Sequence, residues 1–130
     1  MDKDITISGI NTSVTVSTDG AQRHFTYQPG AHALTLRDLT LSHGAPQNPE
    51  LLPGGSIYVG AGGTLTVGKV LFDQNIATFG GAIFVEESGA APAVSIVDSR
   101  FLRNRAAGTD DNFNERGFGA LLGFLYDPEL

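Results

Sequence analysis

Three charged residues recur at one position of a repeating pattern: Asp38, Lys69 and Asp98, spaced 31 and 29 residues apart. Two carboxylates flanking an ammonium could do general acid–base chemistry, since one group holds a proton that another gives up. The same trio at strand spacing, ~4.8 Å between neighbours, also reads as a surface charge ladder of little energetic weight. No further carboxylates cluster beside it to build a calcium-dependent lyase site.

Other chemistry is thinly represented. His24, His32 and His43 fall on different repeat positions and do not converge on a metal. Ser42 and His43 are adjacent, which points their side chains to opposite faces of a strand, and no Gly-x-Ser-x-Gly hydrolase elbow occurs. Asp110-Asp-Asn112-Phe-Asn114-Glu-Arg-Gly117 has the spacing of a calcium loop, but Glu115 stands where the sharp turn needs glycine. It reads as a solvated connection. Thr64-Leu-Thr66 is too narrow an array to template ice. The expectation is no metal and no cofactor.

These residues sit on strands. Apolar residues alternate with Thr, Ser or small residues through Ile5-Thr-Ile7, Val14-Thr-Val16, Leu34-Thr-Leu36, Leu65-Thr-Val67 and Val94-Ser-Ile96. That period of two marks a strand with one buried face. The best helical stretch, 119–126, carries Gly119 and Gly123. The expected class is all-β.

A repeat decides the arrangement. Leu34-Thr-Leu-Arg-Asp-Leu39-Thr-Leu41-Ser-His-Gly44 superposes on Leu65-Thr-Val-Gly-Lys-Val70-Leu-Phe72-Asp-Gln-Asn75 and on Val94-Ser-Ile-Val-Asp-Ser99-Arg-Phe101-Leu-Arg-Asn104. A second set precedes them: His24-Phe-Thr-Tyr27, Ser56-Ile-Tyr-Val59 and Ala82-Ile-Phe-Val85, with Ala120-Leu-Leu-Gly123 as a fourth. Each unit of about 30 residues holds three short strands and cannot bury its apolar face alone, so neighbours must stack. The expectation is a parallel β-helix in one domain, 1–130, with about four coils at 5–33, 34–64, 65–93 and 94–126. Leu34, Leu65 and Val94 should then pile up inside, as should Leu36, Val67 and Ile96, and Leu41, Phe72 and Phe101. About five extra residues at 45–53 should protrude at a corner, and 118–130 forms a C-terminal tail.

Asn75 and Asn104 fall where a strand turns a corner. Asn tolerates the left-handed conformation, bonds its own backbone, and can stack into an amide ladder. Gly80 and Gly81 are expected to serve a turn as well. If Ile57, Val59, Ile83 and Val85 point inward, then Thr26, Tyr58, Phe84 and Leu122 form an outward column. An outward aromatic strip marks an interaction surface. A protein or glycan partner would use it through Tyr58, Phe84 and Leu122, or the tail 121–130 or the loop 45–53 folds over it.

At this point Phe72-Asp-Gln-Asn75-Ile-Ala-Thr-Phe-Gly80-Gly-Ala-Ile83 resembles the FxxN…GGAI repeat of polymorphic outer-membrane proteins and related bacterial surface proteins of the pectin-lyase-like fold. Phe101-Leu-Arg-Asn104 matches the first half of that motif and Gly54-Gly-Ser-Ile57 the second, so the resemblance covers roughly 5–104. It implies a right-handed parallel β-helix from an extracellular or cell-surface protein. Relatives of that kind carry a leader and many more coils.

The N-terminus has no basic segment followed by an apolar one, so no signal peptide is read in this chain. It reads as a segment of something longer. The 130 residues carry eight Lys+Arg against fourteen Asp+Glu, a net charge of −6, which disfavours nucleic acid as a partner. The longest apolar stretch, 117–126, is half a membrane span, so no membrane insertion is expected. No cysteine is present, excluding disulfides and thiolate chemistry. Stacked strands end in open edges, which invites a homodimer. The leading expectation is a non-catalytic β-helix module, an adhesin-like or surface scaffold fragment that binds protein or glycan. The alternative is a small carbohydrate-active or ester-hydrolysing enzyme using Asp38, Lys69 and Asp98.

Overall fold

The structure, a computed structural model, describes residues 3–9, 13–27, 30–46, 52–78, 80–86 and 92–106, together with the backbone of 122–125. β-branched residues and Leu alternate with Thr through these segments, and every element among the described residues is a strand. In chain order they are β1 (Ile5–Ser8), β2 (Thr15–Ser17), β3 (Phe25–Thr26), β4 (Ala33–Ser42), β5 (Ile57–Val59) and β6 (Thr64–Asp73). There follow β7 (Ile76–Ala77), β8 (Ile83–Glu86), β9 (Ala93–Val97), β10 (Arg100–Leu102), β11 (Arg105–Ala106) and β12 (Leu122–Leu125).

Their pairings are all parallel. The largest sheet places β1 and β2 on β4, β4 on β6, and β6 on both β9 and β10. A second sheet runs β3, β5, β8, β12, and a small third one joins β7 to β11. Parallel neighbours need a long connection. Here the chain between β4 and β6 contributes β5, and that between β6 and β9 contributes β7 and β8, so strands of the other sheets replace the usual helix.

Register follows the repeat. Leu34 pairs with Leu65 and Leu65 with Val94; Leu36 pairs with Val67 and Val67 with Ile96. Leu41 pairs with Phe72 and Phe72 with Phe101, and the two Phe rings stack with centroids 4.8 Å apart and planes 6° from parallel. The middle rows are sealed: Leu34, Leu36, Leu41, Leu65 and Phe72 are 0% exposed. Each such side chain stabilises the fold by about 1.5–3 kcal/mol relative to exposure. Ile57, Val59, Ile83 and Val85 complete the same core from the second sheet.

The expectation of three short strands per repeat needs revision. β4 and β6 are ten residues long and bend at Asp38 (φ 55°) and Lys69 (φ 54°), while Asp98 (φ 50°) separates β9 from β10. A second left-handed corner follows five residues on, at His43 (φ 59°), Gln74 (φ 56°) and Arg103 (φ 54°). The left-handed residue is thus the one before each asparagine, not Asn75 or Asn104 itself. A third corner uses Gly54 (φ 75°) and Gly80 (φ 57°). Beside the first, a Cβ on Gly55 would collide with the carbonyl oxygen of Gly81 in the next repeat. Gly80 supplies the left-handed backbone here, and Gly81 follows it.

Two other expectations meet the structure only in part. Of the loop 45–53, residues 47–51 lie outside the described residues; Ala45 is 1% exposed and Leu52 41%. Of the tail, 118–121 and 126–130 lie outside them, and Leu122–Leu125 extends the second sheet.

Candidate functional site

The bend at Asp38, Lys69 and Asp98 opens a groove on the outside of the large sheet. The groove has a volume of about 580 Å³ and is lined by the three charged residues with Ser13, Thr40, Leu71 and Arg100. An adjoining hollow of about 310 Å³ adds Arg37, Thr66, Gly68 and Val97 on the other side of the same column. The left-handed backbone puts these side chains on the outside: all three are exposed. Among the described residues, none of the three side chains makes a hydrogen bond or an ion pair. The charges alternate along the repeats, but they do not lock one another.

That geometry discriminates between chemistries. A general acid or base needs a group that orients it, and no neighbour orients Asp38, Lys69 or Asp98 among the described residues.

The aromatic column behaves differently from the expectation. Thr26, Tyr58 and Phe84 do pair across β3, β5 and β8, and the Tyr58 and Phe84 rings stack at 5.5 Å, 25° apart. Phe84, however, is only 4% exposed, so the strip is not an open apolar surface. Its neighbours are already committed. The Arg23 guanidinium lies 5.4 Å from the Tyr58 ring centroid, with Nε donating to the Gly54 carbonyl at 2.7 Å, Nη2 to Pro53 at 2.6 Å and Nη1 to Thr26 Oγ1 at 2.9 Å. Burial pushes the Arg23 pKa below its ordinary value. The Tyr58 hydroxyl donates to Glu86 Oε2 at 2.6 Å; burial first, and that bond second, push the phenol up to about 12. Leu122 is not in the column at all. It pairs with Ile83, and Gly123 pairs with Phe84, a slip of one residue from the expected alignment.

Asn75 and Asn104 form a ladder between repeats rather than bonding their own backbone. Asn75 Oδ1 accepts from the Gly44 N–H at 2.8 Å, and its Nδ2 donates to the Leu41 carbonyl at 3.2 Å. Asn104 Oδ1 accepts from the Asn75 N–H at 3.0 Å and from Asn75 Nδ2 at 2.9 Å, and its Nδ2 donates to the Phe72 carbonyl at 3.0 Å. Outside this corner the Arg103 guanidinium grips Asp73 through two bonds of 2.8 and 2.5 Å, holding that carboxyl below the usual carboxylate range.

Sequence reasoning missed His24. Its Nε2 lies 3.1 Å from the carbonyls of both Val16 and Ser42, so Nε2 carries the proton, and Nδ1 faces Ser56 Oγ at 2.9 Å. Burial pushes its pKa below the ordinary histidine value. The available signal was a bulky polar residue where the next repeats have Ser56 and Ala82. Also missed was Ser17, whose Oγ lies 3.4 Å from His43 Nδ1 on the exposed surface. No group of three or more His, Cys, Asp or Glu that could hold a metal ion occurs among the described residues. The calcium-like stretch 110–117 lies outside them.

Comparisons with protein-family models, with curated proteins and with solved structures find no match for this chain.

Proposed function

We infer that this chain is a non-catalytic binding module, part of a right-handed parallel β-helix of about four coils. It would work as an adhesin-like or scaffold unit at the bacterial surface, and grip an extended glycan or protein segment along the Asp38–Lys69–Asp98 groove. The helical winding is supported by parallel pairing at intervals of about 30 residues in the large sheet, and its hand by the rule that parallel crossovers within a sheet are right-handed. The surface setting, and kinship with the polymorphic outer-membrane repeat, rest on the FxxN and GGAI segments.

One observation carries the binding reading: an open groove is lined by residues of four successive repeats, and among the described residues its charged side chains are not engaged with one another. A repeating ligand would meet a repeating set of contacts there, each weak and exposed, adding up along the chain. The test is retention on immobilised glycan and peptide panels, parent against the triple variant Asp38→Ala, Lys69→Ala, Asp98→Ala. Loss of a retained ligand by a variant that still melts cooperatively supports the groove. A panel that retains nothing, or a triple variant that binds as the parent does, removes it. The enzymatic alternative, glycoside or ester cleavage by the same three residues, predicts product release on those panels that the triple variant abolishes.

A further inference from the structure

Gly68 is a glycine that neither backbone conformation nor packing calls for. It lies within β6 and pairs with Arg37 on one side and Val97 on the other. Its φ lies outside the left-handed region, and a Cβ on it would meet open space. Ser8, Arg37 and Val97 hold the same row in the other repeats, so the repeat does not require glycine there either. Gly55 is the opposite case, since a Cβ on it would strike backbone. A glycine inside a strand weakens it, and often marks the place where a ligand approaches the chain closely.

The missing side chain leaves the hollow of about 310 Å³ beside the charged column, near the lower bound for small-molecule sites. Gly68 forms its floor and Val97, 54% exposed, an apolar wall. Arg37 and Lys69 bring donors to it, Asp38 and Asp98 acceptors. All four are exposed, and among the described residues none of their side chains makes a hydrogen bond or an ion pair.

Two cations and two carboxylates leave this hollow with no net charge. The larger groove across the column is balanced in the same way, with Arg100 in place of Arg37. A polyanion would bring its charges against Asp38 and Asp98, and a polycation against Arg37 and Lys69. A neutral ligand rich in hydroxyls can use all four groups, because each hydroxyl both donates and accepts. An extended peptide fits the rows poorly: its same-side side chains recur at roughly 6.7 Å, against ~4.8 Å between repeats.

We propose that the ligand of this groove is a neutral glycan, with one sugar ring seated over Gly68. The C–H face of that ring packs on the glycine backbone and on Val97. Hydroxyls of the ring and its neighbours donate to Asp38 and Asp98 and accept from Arg37 and Lys69. The inference rests on the groove being a binding surface and names the class of ligand it takes.

Gly68→Val tests it, because valine fills the hollow and suits a strand. Circular dichroism melts of this variant should show a midpoint equal to the parent's or higher. The probes are neutral, uronate-bearing and sulfated oligosaccharides together with mixed-charge peptides, all immobilised. The parent should retain neutral oligosaccharides, and keep them at about 1 M salt, where charges more than ~3 Å apart are screened. Gly68→Val should weaken that retention about tenfold or more. Retention of charged glycans or peptides alone overturns the assignment, as does a Gly68→Val protein that holds neutral glycans like the parent. Whether the triple alanine variant loses the retained ligand then decides separately if the groove reading stands. A panel that retains nothing overturns both.

Discussion

Two corners of each repeat adopt the same left-handed backbone and end in opposite states. At His43, Gln74 and Arg103 the next residue in two of the three repeats is an asparagine whose amide bonds backbone of the neighbouring repeat. Asn75 is completely buried with its amide satisfied on both sides. At Asp38, Lys69 and Asp98 no such amide follows; a hydroxyl, Ser99 Oγ, accepts from the Val70 N–H at 3.2 Å and donates to the Val97 carbonyl at 3.0 Å. One corner is pinned from inside, and the other leaves its charges in open solvent beside a groove. The lesson is that the bend itself needs no amide ladder, and that where the ladder is present it clamps one repeat to the next.

The sharpest way to break that contrast is Asn75→Ala. It strands the Gly44 N–H and the Leu41 carbonyl in the interior, and should lower stability by about 3 kcal/mol, since each buried unpaired group costs roughly 1–3 kcal/mol. Urea denaturation of this variant beside Asp38→Ala reads the difference directly. Comparable losses for the two would show that the corners are equally committed.

The pinned corner should also carry a response to pH. His24 holds the Ser42 carbonyl, one residue before His43, and burial lowers its pKa below the ordinary ~6.5. The unfolded chain therefore takes up the proton first. Stability should be flat above about pH 6.5, fall as pH drops below it, and level off below the folded-state pKa. In His24→Ser, which copies the residue of the next repeat, this step should vanish from denaturation curves measured between pH 8 and 5. The Asp73 carboxyl, lowered chiefly by its bonds to Arg103, acts in a separate window: its contribution is complete above about pH 3.9 and fades below that as it protonates.

A smaller effect tests the open corner. Lysine in the left-handed region is strained where asparagine is tolerated, so Lys69→Asn should raise stability by about 0.5–1 kcal/mol, visible as a higher denaturation midpoint. Asp38→Ala and Asp98→Ala lose no side-chain partner among the described residues but give up aspartate's tolerance of the left-handed region, so each should lower stability by about 0.5–1 kcal/mol.

Much of this was legible in the sequence, and the reason is arithmetic. Side-chain direction in strands repeats every second residue, and the units repeat at about thirty, so the rows of Leu36, Val67 and Ile96 could be aligned without coordinates. What escaped depends on local geometry. The left-handed residues are Asp, Lys, His, Gln and Arg, types that carry no common conformational signature, so attention went to the asparagines after them. The slip that seats Leu122 opposite Ile83 was hidden because Leu121 and Leu122 serve equally well in an apolar pattern. Phe84 looked available because alternation reports which face a residue takes and not what covers that face. His24 was set aside as a metal ligand, yet its bonds to three different strands or turns arise only once β2, β4 and the segment before β5 meet.

The contact between Gly55 and Gly81 has a wider meaning. With no room there for even a methyl group, that spot acts as a gauge setting the pitch between successive layers. A lineage that duplicated or trimmed its layers would have to copy the gauge faithfully, because any side chain there would force adjacent layers apart at this corner.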